Sequence, residues 1–444
     1  SLLEELAGPD FVCMVDRPKH YLKQFHPKYT PMNKLEEMTK KEEQNTWMAL
    51  YGSHASWFSQ LNDINRPTLW AWILESVSSN RIVCVRNPYF FKIDTEGNQL
   101  PYIDRVSSDI LQNIEIVNMR AIAGEVDMES RLTRFPNYTL FMENRERGNY
   151  RVLKWIPAAG SDFTIAPNLN HKDPVLRKLF QDKRFCQALS LAINRNEINQ
   201  LCYLGQAVPR QATVISLSPY YEESSARAYT DYNPKRANEI LDKIGLKKRD
   251  KDGYRLRPDG KTLAVTIELC ILSEAWADVA ELVKKYWGDI GIKTVIKTES
   301  RELWETRVAA GEHDIGVWTT DEAYRMSIGK FIFGQWGGMS CPSWMLWYNS
   351  QGKKGEPPTG DYKKLFDLWD KFTTSVDDTQ RIRYAKAFLK LRSELCFHIG
   401  TVGEVPQLVV VKNNFRNVPE KALNDWSVLT PSNTLPEQYF FKTR

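Results

Sequence analysis

Residues 263–297 read LAVTIELCILSEAWADVAELVKKYWGDIGIKTVIK, and the periodicity of this stretch changes twice. The run 263–272 is apolar and rich in branched side chains, the pattern of a strand buried on both faces. Trp276, Val279, Leu282, Val283, Tyr286 and Trp287 then recur at helical spacing, and a second strand is expected over 292–297 after Gly291. Two parallel strands joined by a helix form a right-handed crossover, which makes at least this part of the chain α/β.

Upstream, GLKKRDKDGYRLRPDGK (245–261) carries two turn signals, Asp252-Gly253 and Asp259-Gly260, so its seven basic residues are expected on exposed hairpin edges. Before it, Asn233 caps a helix, Pro234 occupies its first turn, Ala237, Ile240, Leu241 and Ile244 form its buried stripe, and Gly245 stops it. Over 173–205 the spacing predicts a helix pair, with Phe185, Leu189, Ala192 and Ile193 on one face and Asn194 with Glu197 capping the second helix. Downstream, Leu365, Leu368, Trp369 and Phe372, then Ile382, Ala385, Leu389 and Leu395, mark two amphipathic helices before a closing strand at 405–411. Towards the N-terminus, 33–44 reads as a solvated helix face and 81–86 as a strand. RNPYFFKID (86–94) and GNQLPYID (97–104) follow as a structured loop dense in aromatics. No internal repeat is visible.

The 444 residues suffice for two or three domains, and 42% hydrophobic with 26% charged residues excludes disordered, collagenous and disulfide-stapled classes. No apolar run reaches the roughly 18 residues of a membrane-spanning helix. A net charge of +5 is too weak to call for nucleic acid or an anionic membrane. The seven cysteines (Cys13, Cys84, Cys186, Cys202, Cys270, Cys341, Cys396) are odd in number and scattered, as expected of small buried apolar residues. The six histidines show no ligand spacing, and nucleophile, phosphate-loop and dinucleotide motifs are absent, so neither metal nor cofactor is expected.

Aromatic density without catalytic punctuation is the main functional signal. Trp318, Tyr324, Trp336, Trp344, Trp347 and Tyr348 surround Gly337-Gly338 and a Ser-Cys-Pro turn. Indoles in such a region can line a ligand cleft, or they can be ordinary core. Glu125 with Asp127, or Glu312 with Asp314, could serve acid/base chemistry in a glycosidase-like groove, or could be solvated edges.

The order of motifs resembles extracellular solute-binding proteins of family 5, the receptors of peptide-type ABC importers. The resemblance is carried by RNPYFFKID, GNQLPYID, Gly124-Glu125-Val126-Asp127, KRFCQALSLAIN (183–194), YNPKRANEILDKIGL (232–246), GYRLRPDGK (253–261), EHDIGVW (312–318), VVVKNNFRNVPE (409–420) and PEQYFF (436–441). It implies an α/β fold of the type II periplasmic-binding-protein kind, two lobes with a hinge. Residues 75–166 with 400–444 would form the first lobe and 167–399 the second. Residues 1–74 would be a remnant of an N-terminal and extra-domain region, the N-terminal part of the family's pattern being absent through truncation or in a short form.

The resemblance further implies a non-enzymatic monomer outside the cytoplasmic membrane, in the periplasm or extracellular space. It would capture a peptide or similar oligomeric solute and deliver it to ABC permease subunits, staying at the membrane through that transporter. In peptide-binding relatives an aspartate just beyond the EHDIGVW-type segment pairs with the ligand's α-amino group, and Asp321 matches it here. The chain departs from the pattern in carrying Glu322-Ala323-Tyr324 where relatives have Pro or Asp-Pro, and Thr319 with Glu322 has the spacing of a helix capping box instead. Trp318, Trp336, Trp344, Trp347 and Tyr348 are the further ligand-binding candidates; oligosaccharide binding is the alternative within the family, in which Trp336, Trp344 and Trp347 would offer flat faces to sugar rings and matter more than Asp321. A carbohydrate-processing enzyme with a Trp-lined groove is the alternative of another class.

Overall fold

Apart from 271–274, which lie outside the described residues, the stretch 263–297 folds as its periodicity predicts. In this computed structural model, which describes residues 17–56, 63–133, 135–270, 275–324, 326, 338–425 and 428–442, it supplies two neighbouring strands at one side of a five-stranded sheet. The strands are β1 (Thr164–Pro167), β2 (Ala264–Cys270), β3 (Lys293–Glu299), β4 (Ile315–Trp318) and β5 (Ile399–Gly400), in the spatial order β5-β1-β4-β2-β3. Strands β2 and β3 are parallel, from Ala264 opposite Lys293 to Cys270 opposite Glu299. Strand β4 runs parallel to β2, and β1 antiparallel to β4 with Trp318 opposite Thr164. One edge of the sheet therefore collects the carboxyl ends of β2, β3 and β4 and the start of β1.

Around this sheet run α1 (Pro174–Gln181), α2 (Lys183–Leu191), α3 (Arg195–Tyr203), α4 (Pro234–Lys243), α5 (Ala275–Asp289), α6 (Arg301–Ala309), α7 (Pro342–Asn349), α8 (Gly360–Thr374) and α9 (Asp378–Leu395). The crossover helix α5 buries Trp276, Val279, Val283, Tyr286 and Trp287. At α4, Asn233 accepts from the Arg236 amide at 2.9 Å and Gly245 takes φ +94°, the left-handed turn for which glycine is suited. Both Asp-Gly hairpins form, but the expectation of seven exposed basic residues is corrected at Arg255. That side chain is 1% exposed and donates to the Leu246 and Ile290 carbonyls, Asn238 and Asp242, so it ties the hairpin to α4.

These elements lie in a compact unit of Ile156–Pro406, and a second unit joins Ser1–Trp155 to Gln407–Arg444. The expected lobe limits at 166/167 and 399/400 fall inside the first of these, because β1 and β5 pair within its sheet. In the other unit a four-stranded sheet orders Leu423–Asn424, Tyr150–Pro157, Gln407–Lys412 and Met128–Glu129. Leu153, Trp155, Val409, Val411, Phe415, Val418 and Tyr439 form its core. Within the aromatic loop, Asp94 accepts from the Asn98 side chain and the Tyr102 hydroxyl, which holds its carboxyl down at about 2. Lys92 pairs with Glu437 at 2.5 Å, so the loop is tied to the PEQYFF segment. The described cysteines are free thiols, five buried and Cys84 half-buried, while Cys13 lies outside the described residues.

Candidate ligand-binding site

In open α/β sheets, ligands bind beyond the carboxyl ends of the strands, where loops leave the sheet in different directions. At that edge Thr320 follows β4 and is fixed three times. Its amide donates to the Ser161 carbonyl at 2.8 Å, its carbonyl accepts from Gly160 at 2.7 Å, and its hydroxyl meets Thr164 Oγ1 at 2.7 Å. Three residues on, the Ala323 amide donates to Ala158 and its carbonyl accepts from Ile215. Asp321 is thus half-buried between two anchored residues, with Glu322 beside it at φ +55°. Residues 319–324 are turn and extended chain, so the capping-box spacing of Thr319 and Glu322 starts no helix there.

Trp318 is 5% exposed. Its ring stacks on Trp304 at 5.1 Å, meets Trp276 edge-on at 6.3 Å, and lies under the Arg301 guanidinium at 5.5 Å. Of the other described aromatics of the sequence-predicted set, Tyr324 lies in the turn that follows Asp321, and the rest sit elsewhere, on α7. Trp344 packs on Tyr362 of α8 at 5.0 Å, Tyr348 packs on Phe366 at 5.3 Å and donates to Asp370, and Trp347 is half-buried. Trp336 lies outside the described residues. The structure therefore brings Trp318 and Asp321 to the sheet edge and puts Trp344, Trp347 and Tyr348 on one helix against α8.

Two features at the edge escaped the sequence reading. Asp162 accepts from the Tyr203 hydroxyl at 2.6 Å and Trp276 Nε1 at 3.2 Å, and burial with the Asp162 charge pushes the Tyr203 hydroxyl far above its ordinary value. Glu404 pairs with the buried Arg210 and accepts from Ser216 N and Oγ at 2.9 Å. Segments 158–163, 210–216, 320–323 and 401–404 thus interlock with little free space: a Cβ on Gly160 would lie 1.6 Å from the Thr213 carbonyl oxygen. The only local hint was the Gly160-Ser161-Asp162 turn before a strand-like run.

Carboxylates and hydroxyls at this edge can accept hydrogen bonds from N–H or O–H groups, and the indoles can pack on apolar faces. One pair looks like a nucleophile and base, Ser340 Oγ and His398 Nε2 at 2.5 Å. His398 Nδ1, however, accepts from Arg392, so Nε2 keeps its proton and donates it to the serine. Burial and the Arg392 charge hold the imidazole neutral, well below its ordinary value, and the pair cannot activate a hydroxyl. Among the described residues no cluster of His, Cys, Asp and Glu could hold a metal ion, and no helix is long and apolar enough to cross a membrane.

Residues 71–327 match the family profile of bacterial extracellular solute-binding proteins, family 5 middle region. A periplasmic alpha-galactoside-binding protein of Rhizobium meliloti is 24% identical over 426 residues, covering 91% of this chain and 57% of that protein. Among solved structures, an oligopeptide-binding protein OppA is 39% identical with a TM-score of 0.67, covering 96% of this chain and 70% of that one. The periplasmic binding protein MelB of Agrobacterium fabrum C58, solved with stachyose, gives a TM-score of 0.71 at 21% identity, covering 96% of this chain and 62% of that one. The chain spans less than two thirds of the length of the curated relatives it matches.

Proposed function

The chain belongs to the family 5 bacterial extracellular solute-binding proteins, with their type II periplasmic-binding fold, and on that premise we propose that it captures an oligomeric solute, a peptide first, and hands it to ABC permease subunits. Capture makes and breaks no bond, and the protein works as a monomer on the outer side of the cytoplasmic membrane, held there through its transporter. The observation that carries this reading is the double anchoring of 320–323 at the sheet edge, which holds the Asp321 backbone in one position. An ammonium group of the ligand would pair with Asp321 over the Trp318 wall, with Asp162 as a second acceptor nearby. An ion pair of this kind selects a charged amine over a neutral group.

The second reading is an oligosaccharide, favoured by the alpha-galactoside-binding relative that covers 91% of this chain. Here Trp336, Trp344, Trp347 and Tyr348 would stack on sugar rings. Titration calorimetry against di- to hexapeptides and against raffinose and stachyose separates the two. On the peptide reading, Asp321→Asn weakens peptide binding by roughly tenfold or more, equivalent to about 1.4 kcal/mol, and mass spectrometry recovers the ligand intact. Unchanged affinity removes Asp321 from the site; sugar binding with no peptide binding replaces the first reading by the second.

A further inference from the structure

At segment 211–213, which also takes part in the interlock at the sheet edge, the Ile156–Pro406 unit holds a small, partly open cavity against the end of α9. Ser225, from the short helix Glu223–Ala226, and His398 complete the wall. It has room for about one water-sized particle. Two hydroxyls on this wall, Thr213 Oγ1 and Ser225 Oγ, have no hydrogen-bond partner among the described residues, although their residues are only 3% and 2% exposed. Buried hydroxyls are as a rule satisfied, and these two are free to donate to a small group in the cavity. The wall also carries the guanidinium of Arg392, which donates to the Ala212 carbonyl and to His398 Nδ1. No carboxylate is among the lining residues.

A guanidinium, two hydroxyl donors and a neutral imidazole give the cavity positive potential and donors in excess of acceptors. We propose that it binds one monatomic anion of the halide class, held by the Thr213 and Ser225 hydroxyls in the field of Arg392. Phosphate and sulfate are too large for a single-particle space. The ion ties α9 to 211–213 and to Glu223–Ala226, so halide stabilises this unit.

The test is a crystal of the unaltered chain grown in bromide, with melting curves in chloride, bromide and gluconate at equal ionic strength. The expected result is an anomalous bromine peak in the cavity, within hydrogen-bond distance of both hydroxyls. Melting in halide should lie roughly 2–4 °C above gluconate, and the difference should vanish in the Thr213→Val, Ser225→Ala double variant. A water-like density without anomalous signal overturns the proposal, as does a halide effect that persists in the variant. Should the double variant not fold, the bromide crystal decides by itself.

Discussion

At the scale of single residues, burial decides protonation, and His313 shows the consequence most plainly. The side chain is fully buried, Nε2 donates to the Met339 carbonyl at 2.7 Å, and Nδ1 has no partner. Burial pushes the imidazole down to about 4 from an ordinary 6.5. Because the folded value lies below the unfolded one, the unfolded chain binds the extra proton between pH 6.5 and 4. Stability is therefore whole above pH 6.5 and falls as pH drops through that window, by about 3 kcal/mol for a shift of this size. His398 is displaced in the same direction and adds to the loss. Urea midpoints measured from pH 7.5 to 4.5 should fall on this course, and His313→Gln, which keeps a donor for Met339, should flatten it. An unchanged profile in that variant would assign the acid sensitivity to other groups.

At the scale of elements, what was legible was what is local. The stop and start signals of α4 lie within twelve residues of one another, and the crossover 263–297 is two changes of period within one continuous stretch, so both could be read without knowing their neighbours. Arg255 was misread for the complementary reason: its partners Asp242 and Asn238 sit on α4, and nothing in the hairpin's own pattern says that α4 packs there. The site is still less local. Asp162 meets Tyr203 and Trp276 across 41 and 114 positions, and Arg210 meets Glu404 across 194. Trp318 was visible as an aromatic, but its stack on Trp304 of α6 was not. The interlock of these segments carries its own prediction. Gly160→Ala would drive a methyl into the Thr213 backbone, which no rotamer can relieve. A loss of about 2–4 kcal/mol is expected in chemical denaturation, with weakened solute binding as Thr320 shifts. Full stability in that variant would mean that the interlock relaxes at little cost.

At the scale of the whole molecule, the chain passes from one compact unit to the other at 155/156 and returns at 406/407, so the Ile156–Pro406 unit is continuous in sequence and the other is assembled from two stretches. Two crossings joining two separately cored units are the topology in which a ligand can act on arrangement, provided that it touches both. Its effect is then limited by its differential affinity for the open and closed arrangements. If capture works in this way, a true solute does two things together. At 100 times its dissociation constant it adds roughly 2.7 kcal/mol to the stability of the bound state, and it lowers the radius of gyration measured by solution X-ray scattering. Asp321→Asn should weaken both responses in parallel for a peptide. A compound that raises the melting temperature and leaves the radius unchanged binds one unit only, and would be ruled out as transported cargo. A panel member that produces both identifies the solute class, because compaction needs contacts from each unit whereas thermal stabilisation needs contacts from only one.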